Sequence, residues 1–162
     1  MLERRLVADG DPRPLVVFDP REDSINGDRE DHHRTDRDRA MRAAASLCIT
    51  LARAGGCDLL VPGARRALTI DPALRGWPEA HTWIALADPQ KGIVAPAHLR
   101  GGLVVWVTAG RGIPGSLRGL DPGSVMVTPR GSPRSAVFRV AGCFAYPAVS
   151  PGRSAPQRSA AA

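Results

Sequence analysis

The sequence predicts an α/β domain, a three-layer sandwich around a mostly parallel sheet, on three observations. Short apolar runs bounded by helix breakers recur along the chain. One long helix-compatible stretch ends at Gly55-Gly56 and leads straight into another apolar run. Strand-like and helix-like segments alternate, the order that buries parallel strands beneath helices.

Leu15-Val16-Val17-Phe18 is the first strand, preceded by Pro14 and closed by Asp19-Pro20. A run so short and so continuously apolar suits a strand covered on both faces. Residues 20–35 read as a polar loop. Thr35 then offers a helix N-cap, with Asp38 three positions on. Asp36 and Asp38 suit the positive end of a helix expected from Asp36 to Ala54. Met41, Ala44, Ala45, Cys48, Leu51 and Ala52 share one face at helical spacing. Ala40, Ala43, Leu47 and Ala54 make much of the remaining girth apolar. This helix is expected to be the packing centre, with Leu47 and Leu51 deeply buried. Each should cost about 2–5 kcal/mol when cut to alanine.

Cys57–Val61 follows as a second strand and completes a right-handed βαβ unit. Pro62-Gly63 turns the chain, and Ala67–Ile70 is expected at the sheet edge. Proline at the first position opens a helix over Pro78–Ala87, with Trp83, Ile84 and Ala87 toward the sheet. Leu103–Val107 is a third buried strand. Residues 109–120 are glycine-rich and hold at most a short helix. Ser124–Thr128 and Ala136–Val140 are strands, the second of them expected to be the last. The domain spans 1–149, and 150–162 has the composition of a disordered tail.

The charge of +6 raises the question of nucleic acid. Lys91 is the only lysine, residues 1–40 carry a net −3, and the excess arginines are scattered through turns. No basic helix face results, so nucleic-acid binding is not expected. No stretch of about 20 apolar residues is present, so no membrane span is expected. The three cysteines form no CxxC pair, which points to a reducing compartment, the cytoplasm.

The segments PLVVFDP, DRAMRAAASLCITLARAGGCDLLVPG, DPALRGWPEAHTWIALAD and GGLVVWVTAG resemble, in order and spacing, the domain of unknown function 58 family in its actinobacterial form. The likeness covers about residues 3–147. It implies an incomplete domain similar to the von Willebrand factor A fold. It also implies a MoxR-type AAA+ ATPase as partner, because genes for the two often lie side by side. The relatives are usually longer and membrane-anchored, so this chain is expected to match their C-terminal part.

Von Willebrand A domains hold a divalent cation with an Asp-x-Ser-x-Ser motif after strand one and an aspartate after a later strand. Here the first reads Asp19-Pro20-Arg21-Glu22-Asp23 and the second Thr108-Ala109-Gly110. A hard cation needs several oxygens together. Arg21 and Ala109 stand at would-be ligand positions beside Asp19, Asp23 and Thr108, so no metal is expected. The bland alternative is that Asp19 pairs with Arg21.

His32 and His33 lie among acids but read as a solvated loop. His81 and His98 have no nucleophile at a recognisable spacing. Gly110 to Gly115 matches GxGxxG, but Pro114 interrupts it and no helix pattern follows. The expectation is therefore a protein-interaction module that is not an enzyme and carries no cofactor. The alternatives are a metal-dependent binding domain built on Asp19, Asp23 and Thr108, and a small hydrolase or nucleotide-binding enzyme with an unrecognised site.

Overall fold

The computed structural model describes residues 13–22, 30–94, 102–110, 120 and 122–148, with backbone alone for 30–35. The strands are β1 (Leu15–Asp19), β2 (Cys57–Leu60), β3 (Leu68–Ile70), β4 (Val104–Thr108), β5 (Val125–Thr128), β6 (Phe138–Val140) and β7 (Cys143–Pro147). The helices are α1 (Glu30–Gly55) and α2 (Trp77–Ala85). One seven-stranded sheet runs in the order β3-β2-β1-β4-β5-β7-β6.

The sheet is mixed. β2, β1, β4 and β5 form a parallel centre, while β3, β7 and β6 pair antiparallel on the flanks. The expected mostly parallel sheet holds only for the centre, because the flanking strands are joined by connections too short for a crossover. β1 is central and its burial is complete along its length. Its side chains alternate between two apolar clusters. Val16 and Phe18 join Val105, Val107, Leu59 and Val127 on the face that α1 and α2 cover. Leu15 and Val17 join Leu60, Val104 and Trp106 on the other face, where Ala64, Ala67, Ile93 and Leu120 pack. Among the described residues the cover on that second face comes from connecting segments rather than a helix.

α1 starts six residues before the expected position, at Glu30. Thr35 is inside the helix, so it is not the N-cap, and residues 30–35 are not loop. The side most fully buried is Ala40, Ala43, Ala44, Leu47, Cys48 and Ala52. Small residues along it let the helix axis lie close to the sheet. Met41, Ala45 and Leu51 flank this stripe and are only partly buried. Leu51 therefore departs from the expectation of deep burial, while Leu47 keeps it at 9% exposure. Leu47→Ala should cost about 2 kcal/mol in chemical denaturation, the low end for a core leucine, and Leu51→Ala less.

Gly56 closes α1 with φ of 102° and its amide donates to the carbonyls of Leu51 and Ala52. A left-handed residue there is the usual helix stop. α2 packs Ala80 and Ile84 into the same cluster as α1. β6 is not the last strand. A two-residue turn at Ala141 and Gly142, both with positive φ, folds β7 back onto it. Such turns match the twist of a hairpin. No helix among the described residues is long and apolar enough to cross a membrane. The 150–162 segment lies outside the described residues.

Candidate functional site

The strand order 3-2-1-4-5 reverses between β1 and β4, and in doubly wound sheets that crevice at the carboxyl ends of the strands takes the ligand. Asp19 and Thr108 end β1 and β4 and are paired in register across it. The Ala109 amide donates to the Asp19 carbonyl at 3.2 Å.

The Asp19 side chain is buried, with 4% exposure. Its Oδ1 accepts from the Arg21 amide at 3.1 Å and from Arg21 Nε at 2.8 Å. Its Oδ2 accepts from Arg21 Nη2 at 2.8 Å. Pro20 between them turns the chain, so the arginine two residues on reaches back as a fork onto the carboxylate. The hydrogen bond to Asp19 raises the Arg21 pKa above its ordinary value, against the opposing effect of burial. The Arg21 side chain remains 42% exposed.

Thr108 is buried and its Oγ1 accepts from the Gly110 amide at 3.0 Å. Ala109 is fully buried and belongs to the apolar cluster under α1. The position at which the expected motif would have a carboxylate therefore points its side chain into the core. With Arg21 on both oxygens of Asp19 and Ala109 in the core, the donor set does not fit a divalent cation. Among the described residues no three His, Cys, Asp or Glu side chains converge. Asp23 lies outside the described residues.

The neighbouring β5 contributes a second polar joint that the sequence reading missed. Thr128 Oγ1 donates to the Gly110 carbonyl at 2.7 Å and accepts from the Arg130 amide at 3.1 Å. Arg130 Nε pairs with Asp36 Oδ2 at 2.8 Å. Asp36 also meets Arg39 at 3.8 Å. Asp36 is thus a tie between α1 and the end of β5 rather than a first-turn acid. For the Thr128 half a signal was present: VVWVTAG and VMVTPRG both end a valine-rich strand on threonine with glycine following.

Of the remaining candidates, His81 is exposed and its ring lies 5.6 Å from that of Trp77. His98, residues 111–115 of the glycine pattern and the side chains of His32 and His33 lie outside the described residues. In the turn that Pro62-Gly63 opens after β2, the Gly63 amide donates to the Gly92 carbonyl at 3.0 Å, while Arg65 and Arg66 are exposed. Comparison with protein-family profiles, curated proteins and solved structures finds no match.

Proposed function

We propose that the chain is a protein-interaction module of the von Willebrand A type, without catalytic chemistry of its own. Its binding surface is formed by the loops at the carboxyl ends of the central strands. The carrying observation is the Asp19–Arg21 fork. The crevice where such folds hold a reacting ligand is occupied by the chain's own ion pair. Both carboxylate oxygens are used internally, so what the crevice offers outward is a fixed cationic edge. The order 3-2-1-4-5 supports the von Willebrand A-like reading, as does the apolar, sheet-covering α1.

The likeness to the domain of unknown function 58 family names the partner to try first, a MoxR-type AAA+ ATPase. Three buried free thiols fit a reducing compartment such as the cytoplasm. Exposed Arg65 and Arg66 on the same rim would steer an acidic partner surface. In a pull-down with the ATPase, the chain should capture it. The double variant Arg65→Glu with Arg66→Glu should weaken capture by about tenfold or more. No capture by the unaltered chain refutes the partner. Capture untouched by the charge reversal refutes this surface.

A further inference from the structure

Cys48 lies two turns before the end of α1 and Cys57 is the first residue of β2. The Gly55-Gly56 reversal brings them together. The Cys57 thiol donates to the Cys48 carbonyl at 3.4 Å. Both residues are fully buried in the apolar cluster between helix and sheet. Apolar packing alone does not require two cysteines side by side across this joint. Zinc would need four ligands, and no third ligating side chain joins the pair among the described residues.

We propose that Cys48 and Cys57 form a redox-active dithiol that closes into a disulfide across the α1–β2 joint when hydrogen peroxide reaches it. The two thiols are not equivalent. The neighbouring Cys48 thiol holds the Cys57 pKa down, against burial and the Asp58 charge and with help from Arg13. The neighbouring Cys57 thiol, then burial, pushes Cys48 up. Cys57 is therefore the thiolate that reacts first. Its sulfur attacks one peroxide oxygen, the O–O bond breaks, and the departing hydroxide takes a proton to become water. Cys57 is then a sulfenic acid. The Cys48 sulfur attacks the Cys57 sulfur, and the expelled hydroxide leaves with the Cys48 proton as a second water. Two electrons pass from the sulfurs to the peroxide, and a small thiol reverses the reaction. Access requires only fraying of the last turns of α1, whose Arg53, Ala54 and Gly55 are exposed.

The test treats the full chain with hydrogen peroxide, then denatures it and counts thiols. The count should fall from three to one, with Cys143 left over. Intact mass should drop by about 2 Da, and digestion should yield a crosslink between the peptides bearing Cys48 and Cys57, lost on reduction. Cys143→Ala should behave alike and retain no thiol. Burial pushes the Cys143 pKa up to about 11, so it is a poor nucleophile and a fair internal control. A count that stays at three overturns the proposal. So does thiol loss with a gain in mass, or a crosslink that involves Cys143 or a second chain.

Discussion

Phe18→Ala is expected to cost about 3–5 kcal/mol of folding stability. Phe18 is fully buried, on the strand that pairs with both β2 and β4, and faces the helix layer. Its neighbours in the cluster sit on paired strands and on the helix that covers them, so the cavity should persist. Urea unfolding followed by tryptophan fluorescence would measure the change. A loss below about 1 kcal/mol would mean that the centre of the core lies elsewhere.

Arg21→Ala should be the most damaging change at the crevice, at about 2–3 kcal/mol. Removing one partner of a fully buried ion pair costs about 3–5 kcal/mol, because the other charge is left without compensation. Asp19 is buried, but Arg21 is 42% exposed, so water can replace part of what the guanidinium supplies. Asp19→Asn combined with Arg21→Ala should recover much of the loss, since an amide leaves no buried charge. If Arg21→Ala unfolds at the same urea concentration as the unaltered chain, the fork is ornamental. Calorimetric titration of the unaltered chain with magnesium or manganese should detect no micromolar binding. Binding at that level, abolished by Asp19→Ala, would favour the metal-dependent reading instead.

The parts of this fold that were legible in the sequence are those with two boundaries. Pro14 and Pro20 bracket β1, and Gly56 stops α1 where no other residue adopts its φ cheaply. The start of α1 has no such mark, and a plausible cap at Thr35 drew the boundary six residues late. β7 was missed because CFAYP has no β-branched residue and ends on proline. Its turn hid as well. Ala141 adopts positive φ, a position that Asn or Asp would have advertised. The Asp19–Arg21 pair was readable from a spacing of two residues across a proline. The Asp36–Arg130 tie was not, because its partners are separated by 94 positions and only the folded sheet brings them together.

The central place of β1 has a consequence for how the chain acquires its shape during synthesis. β1, α1 and β2 are consecutive and can dock as soon as they have emerged. The other edge of β1 pairs with β4, Leu15 against Val104. At about 5–20 residues per second, a ribosome needs roughly 4–18 s to make the intervening stretch. For that interval a strand destined for complete burial has one row of backbone groups without its final partner. The helix already lying across one face shields Val16 and Phe18. Leu15 and Val17, on the opposite face, wait for Trp106 and are the residues on which a growing chain would first stick to a neighbour or a chaperone.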